Sequence, residues 1–283
     1  MTIEHAVVAV AKRRHPISED AYAVAQALDQ TFAASVVDGH GFHTQATEVA
    51  DFAQFVALQL VDRMKQCVDS DVIPKWFDEV QHKVEDRFPN QSVGAAAACL
   101  VVDASFLLRV AYVGDCRLFR YTPECVEGVE WMTKDHTPEC VDERLRLEAC
   151  GQFGKFRIIR HGADVPLFAI PEQRLHFVDG PIGCSEESLS YTRGFGHSRF
   201  RPALTHVPEI RSIELVRDTP NLFALCSDGG TKIVRRVFRR LLQQEFDASV
   251  DLRVVTQLAE EKITEKTKGP KHDATIIFFK VSP

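Results

Sequence analysis

A single α+β domain built mainly on antiparallel strands is what this sequence predicts, and three observations predict it. Short β-branched apolar runs recur along most of the chain. Two pairs of longer segments carry apolar residues at spacings of three and four. Tight turns separate several consecutive runs, which makes antiparallel connection the economical one. No internal repeat, low-complexity tract or linker divides the 283 residues, so 1–283 is read as one domain.

Taken in order, Ala6 to Ala11 is a short strand, followed by the charged stretch Lys12-Arg13-Arg14-His15-Pro16-Ile17-Ser18-Glu19-Asp20. Ala21 to Ala27 and Thr31 to Val37 form a strand pair turned by Leu28-Asp29-Gln30, the second strand ending at Asp38-Gly39-His40-Gly41. Val49, Phe52, Ala53, Val56, Leu60 and Met64 mark the buried stripe of a long helix. Ile73, Phe77, Val80, Val84 and Phe88 mark a second, with Pro74 at its first turn and Pro89-Asn90 as its stop. Gly94 to Val102, Phe106 to Val113 and Arg117 to Tyr121 follow as a three-strand meander. Glu139 to Cys150 is a helix closed by Gly151. From Gly154 to Tyr191 the periodicity dissolves among Pro166, Pro171 and Pro181, and this long irregular segment reads as a flap near the site. Arg211 to Val216 and Leu222 to Cys226 are strands. Helices carrying Ile233 to Leu242 and Leu252 to about Thr267 come next, and Ala274 to Val281 is the last strand. Arg235, Arg236, Arg239 and Arg240 lie opposite the apolar stripe of their helix, as a solvated face or a docking surface for an acidic partner.

Composition narrows the function classes. A formal net charge of -6 argues against a general nucleic-acid binder. Eight cysteines without a Cys-x-x-Cys pair, several inside apolar runs, suit a reduced intracellular chain better than a disulfide framework. No apolar run is long enough to span a bilayer, and Met1 to Ala11 lacks the pattern of a signal peptide. The cytosol or nucleus is the default location.

The chemistry is carried by acids. Asp38, Asp228 and Asp273 each adjoin an apolar strand, and Asp115 repeats the theme beside Gly114. A carboxylate at the end of a buried strand needs a positive partner, and hard oxygen donors suit Mg²⁺ or Mn²⁺ rather than zinc. Gly39 lets the backbone come close enough for its carbonyl to be a ligand, and His40 places a titratable ring alongside. Arg14 or His15 is a candidate anion contact, and Glu19-Asp20 a candidate part of a hydrated metal site. A turn reading for Asp38 and Asp115 stays open at this point.

Several short motifs then resemble, in order, those of the metal-dependent serine/threonine protein phosphatases of type 2C, the PPM family. They are Ser18-Glu19-Asp20-Ala21, Val37-Asp38-Gly39-His40-Gly41, Gly94-Ala95-Ala96-Ala97, Val113-Gly114-Asp115-Cys116-Arg117, Lys134-Asp135-His136, Thr192-Arg193-Gly194-Phe195-Gly196, Cys226-Ser227-Asp228-Gly229 and His272-Asp273. The resemblance implies a four-layer α/β/β/α sandwich, two central antiparallel sheets flanked by helices, with a metal cleft at one edge. It implies two Mg²⁺ or Mn²⁺ ions per chain. Asp38 would bridge them, Gly39 would give its carbonyl to one, and Asp228 and Asp273 would hold the other. Glu19 and Asp20 would sit in the inner or water-mediated shell. A metal-bridging hydroxide would attack phosphoserine or phosphothreonine, and His40 would protonate the leaving oxygen. A phosphoprotein is the implied substrate, and a monomer the expected state.

The departures from that pattern set the alternatives. The phosphate-binding arginine falls at His15, with Arg14 one residue away. A second glycine after His-Gly is Phe42, the aspartate after Gly196 is His197, and the asparagine after the last metal aspartate is Ala274. An acid that helps hold a third metal with Asp115 is Lys232, whose charge is expected to weaken or replace that site. A pseudophosphatase that binds without turnover therefore stands beside the active enzyme, as does a phosphatase of small phosphorylated molecules.

Overall fold

The computed structural model describes residues 1–283 except 13–16, 28–30, 43, 68, 90–91, 150–155, 161–172, 178–187 and 265–271. In chain order the elements are β1 (Thr2–Val10), β2 (Asp20–Gln26), β3 (Phe32–Gly41), α1 (Ala46–Met64), α2 (Ile73–Arg87), β4 (Val93–Val102), β5 (Leu107–Val113), β6 (Arg117–Tyr121), β7 (Val129–Trp131) and α3 (Val141–Ala149). They continue with β8 (Phe156–Arg160), β9 (Gln173–Phe177), β10 (Ser188–Leu189), β11 (Phe195–Gly196), β12 (Glu209–Glu214), β13 (Asn221–Cys226), α4 (Thr231–Gln243), α5 (Leu252–Thr264) and β14 (Ala274–Ser282).

Two antiparallel sheets form the centre. One runs β1-β14-β13-β6-β7 and the other β12-β5-β4-β3-β2, with β11 on the end of β4. Alternation within each strand splits its side chains between two cores. Phe32, Ala34, Val36, Leu100, Val110, Phe223, Ile277 and Phe279 point between the sheets. Ala33, Val37, Cys99, Val101 and Val113 point outward under α1 and α2, against Val49, Phe52, Val56, Phe77 and Val80. On the far side Phe119, Leu222, Ala224 and Phe278 meet Val234, Phe238, Val255 and Ala259 of α4 and α5. The result is helix, sheet, sheet, helix. Each large side chain so buried contributes about 2 kcal/mol, and the predicted helical stripes are the residues that meet the sheets.

Four expectations are corrected. β3 does not stop at Asp38; it pairs with β4 as far as Gly41 opposite Val93, because the small side chains of Gly94 to Ala96 let the polar end of the strand stay in the ladder. β5 and β6 are not hairpin partners. Gly114, at φ +85°, turns the chain out of one sheet and into the other, where β6 pairs with β13. The stretch 154–191 is not wholly irregular, since β8, β9 and β10 form a small antiparallel sheet. Its strands are too short and too far from the central core patterns to announce themselves. The helix read as Glu139 to Cys150 begins at Val141 instead, and Cys150 and Gly151 lie outside the described residues. The short strand β7 was not foreseen.

The basic face of α4 is partly neutralised. Arg235 and Arg239 both reach Glu127, Arg235 at 2.5 Å, and Arg240 pairs with Glu261 at 3.1 Å. Among the described residues no helix is long and apolar enough to cross a membrane.

Candidate metal centre

Strand register assembles the acids. Asp20 and Asp38 face each other across β2 and β3, and Asp38 lies opposite Ala96 of β4. Gly114 packs its backbone against that same Ala96, so close that a β-carbon at Gly114 would overlap the alanine methyl; this brings Asp115 toward Asp38. From the other sheet, Ser227-Asp228 follows directly on β13, and Asp273 directly precedes β14. Gly229 makes that approach possible, since a β-carbon there would overlap the Asp273 carbonyl oxygen. Gly229→Ala is therefore expected to push Asp228 and Asp273 apart and abolish any Mn²⁺-dependent rise in melting temperature. Thermal melts with and without Mn²⁺ check it.

Hydrogen bonds hold the two halves together. Ser227 Oγ donates to Asp20 Oδ2 at 2.6 Å, while the Thr275 amide donates to Ser227 Oγ at 3.1 Å. The Lys12 amide donates to Asp273 Oδ1 at 2.5 Å and the Glu19 amide to Asp273 Oδ2 at 3.0 Å. Glu19 takes part mainly through its backbone, for its carbonyl accepts from the Gly39 amide at 3.2 Å and its carboxylate pairs with Lys12 Nζ at 2.6 Å. Gly39 has no room for a side chain between the Glu19 carbonyl and Val49. Arg14 and His15 lie outside the described residues.

Electrostatics say what the cluster lacks. Burial pushes the Asp38 carboxyl well above the carboxylate range, and the neighbouring carboxylates of Asp20, Asp228 and Asp115 push it further. Burial raises Asp20 to about 7, opposed by the Ser227 bond and reinforced by Asp273 and Asp228. Asp115 also rises to about 7, through burial and Asp228, against Arg117. Such values mark acids crowded together without enough positive charge. Among the described residues no three His, Cys, Asp or Glu side chains converge as a ready metal cage. The donor set nonetheless fits a hard divalent cation: all oxygen, with several carboxylates crowded together and little positive charge among them.

Arg117 is a cation acting on Asp115. Arg117 is held by Asp135 through two bonds of 2.8 and 2.6 Å and donates to Thr231 Oγ1 at 2.5 Å. Lys232 is exposed on the first turn of α4. Ser227, Lys12 and Arg117 were not foreseen as site residues. A serine just before Asp-Gly at a strand end was the one visible signal.

His40 stands at the rim, opposite Gly94 of β4, its ring edge-on to Phe42 at 4.7 Å between centroids and to His197 at 5.5 Å. His197 is 0% exposed, and neither of its ring nitrogens has a hydrogen-bond partner among the described residues. An unmet buried polar group costs about 1–3 kcal/mol, so this arrangement is a departure from ordinary core packing. His197 is also left-handed, at φ 44°.

The Protein phosphatase 2C family profile matches residues 8–237. Among solved structures, a Caenorhabditis elegans sex-determining protein superposes with a TM-score of 0.70 at 18% identity; the match covers 99% of this chain but 65% of that one. A serine-threonine phosphatase 2C from Toxoplasma gondii gives 0.64 at 15% identity, covering 98% and 94%. A serine/threonine phosphatase from Staphylococcus aureus gives 0.61 at 15%, covering 100% and 96%. At such identities the structures speak for the fold alone, and the two-sheet sandwich is theirs too. The match over residues 8–237 places the chain itself: it belongs to the protein phosphatase 2C family.

Proposed function

We propose that the chain is an Mg²⁺- or Mn²⁺-dependent phosphatase of phosphoserine and phosphothreonine in proteins. The observation that carries this reading is the gathering of Asp20, Asp38, Asp115, Asp228 and Asp273 with too little positive charge among them. Asp38 and Asp228 would hold the metals with Asp273; the Asp20 carboxylate and the Gly39 carbonyl complete the oxygen set. When bound, the metal pair supplies Lewis-acid charge to the phosphoryl oxygens and to the attacking water.

The chain's own residues do the rest. Two backbone amides fix both oxygens of Asp273, and Ser227 fixes Asp20, so the carboxylates are oriented before any ligand arrives. His40, on the rim, is the group to protonate the departing serine or threonine oxygen, a step worth about 10²–10⁴ in rate. Arg14 or His15 would contact the phosphate. Arg117 beside Asp115 leaves less need for a third metal there than a site of bare carboxylates would have. Asp135 keeps that guanidinium in place.

Hydrolysis of a phosphothreonine peptide, followed against added Mn²⁺, Mg²⁺ and chelator, tests the reading. Turnover is expected to require metal and to disappear in Asp228→Asn. Metal-free turnover would sink the mechanism. Metal binding with no turnover on several phosphopeptides would make the chain a binding module of the same fold.

A further inference from the structure

The His197 imidazole is built into the rim with unusual care. Gly94 has no side chain where a β-carbon would overlap the ring of His197, and Gly94 is the cross-strand partner of His40. The His197 amide donates to the Val93 carbonyl at 2.8 Å, its carbonyl accepts from the Phe200 amide at 2.9 Å, and the preceding Gly196 amide donates to buried Gln81 Oε1 at 3.1 Å. Its backbone is thus pinned on three sides. Phe42 lies 4.7 Å from the His40 ring and 5.1 Å from the His197 ring, against both. Among the described residues the rings against His197 are those of His40, Phe42, Tyr191 and Phe200.

The two imidazole centroids are 5.5 Å apart with an interplanar angle of 64°. A direct N–H···N bond between two imidazoles sets the centroids about 5 Å apart, so a small ring rotation closes it. A histidine's tautomer is fixed by the hydrogen bond that its second nitrogen makes. We propose that His197 is a positioning residue for His40: one nitrogen of His197 accepts a ring N–H of His40 and so sets which nitrogen of His40 faces the leaving group. This rests on the reading of His40 as the general acid. The buried His197 ring stays neutral, because burial, helped by His40, holds its pKa well below the usual range. A neutral imidazole has the free lone pair that this bond needs.

Two substrates separate this role from a merely structural one. A threonine alkoxide must be protonated as it leaves, whereas 4-nitrophenolate leaves unaided. With Mn²⁺ present, His197→Phe keeps a ring over Gly94 and removes both nitrogens. Its kcat on a phosphothreonine peptide is expected to fall about 10–100-fold with KM little changed, while 4-nitrophenyl phosphate hydrolysis stays within about twofold. His197→Asn, which tolerates a positive φ and restores an acceptor, is expected to recover part of the loss. In metal-free protein, long-range ¹H–¹⁵N spectra should show one His40 tautomer in the wild type and a mixture in His197→Phe. Equal losses on both substrates, no loss on either, or an unchanged tautomer would overturn the proposal. His40→Ala separates the two levels. If it reproduces the substrate split while His197→Phe does not, only the positioning role is wrong; if it slows both substrates equally, His40 is not the acid and both fall.

Discussion

Asp38→Asn is expected to lower Mn²⁺-dependent phosphopeptide hydrolysis by at least about 10³-fold and, in the same protein, to raise the melting temperature of the metal-free chain. The two effects have one cause. Asp38 feels Asp20, Asp228 and Asp115, so in the absence of a cation its charge is a liability that the protein relieves by holding a proton. Asparagine keeps the shape, removes the charge, and offers an N–H₂ group to the Asp228 carboxylate. Relief of about 1–2 kcal/mol corresponds to roughly 2–4 °C in a chain of this size. The wild type should instead gain about 3 kcal/mol at Mn²⁺ concentrations a hundredfold above its dissociation constant. In the variant this gain should vanish. Thermal melts across a Mn²⁺ series, read beside peptide turnover, check both limbs. A variant that is less stable without metal, or still stabilised by it, would show that Asp38 is a structural acid.

Much of this was legible in the sequence, for a physical reason. Asp38, Asp228 and Asp273 stand next to strands whose apolar content declares them buried, and an acid in such a place asks for a cation. The helical stripes of α1, α2, α4 and α5 were readable because each faces a single layer, so periodicity and burial coincide. What stayed hidden depends on which strands become neighbours. The crossing of the chain at Gly114 from one sheet to the other leaves no periodic trace, yet it brings Asp115 to Asp38. Ser227 gained its role only when β13 and β14 paired and set it between Asp20 and the Thr275 amide. Lys232, which the family resemblance marks as a charge near Asp115, is exposed on the first turn of α4, whereas Arg117 from β6, which no pattern singled out, sets a cation beside Asp115.

Away from the metals, the largest expected loss of stability comes from Glu143→Ala. Glu143 on α3 is 1% exposed and carries a charge, which is tolerable only because three groups answer it. Arg193 reaches Oε1 with two nitrogens at 2.8 and 2.6 Å, Arg146 reaches Oε2 at 3.0 Å, and Thr192 Oγ1 donates to Oε2 at 2.6 Å. Burial alone would raise this carboxyl; the bonds from Arg193 and Thr192, with the charge of Arg146, outweigh it and bring the pKa to about 2. Alanine strands two guanidinium groups against each other, and because both arginines keep some water the cost should lie near the lower end of the range for broken buried pairs, about 3 kcal/mol. The urea midpoint should fall accordingly with the m-value unchanged. The pH dependence gives a second check. A carboxyl whose folded pKa is depressed stabilises fully above its unfolded value, near 4.5, and loses that contribution as pH falls toward about 2. The variant should lack this acid limb. Another limb should remain: His136, buried and stacked on Tyr112, has its pKa lowered to about 4 by burial and by Arg193, so the unfolded chain takes up a proton first as pH falls from about 6.5 to 4. Loss of the lower limb with retention of the upper one would assign the network its role. An urea midpoint unchanged in Glu143→Ala would show that the arginines find other partners, and that the tie between α3 and the segment carrying His197 is made elsewhere.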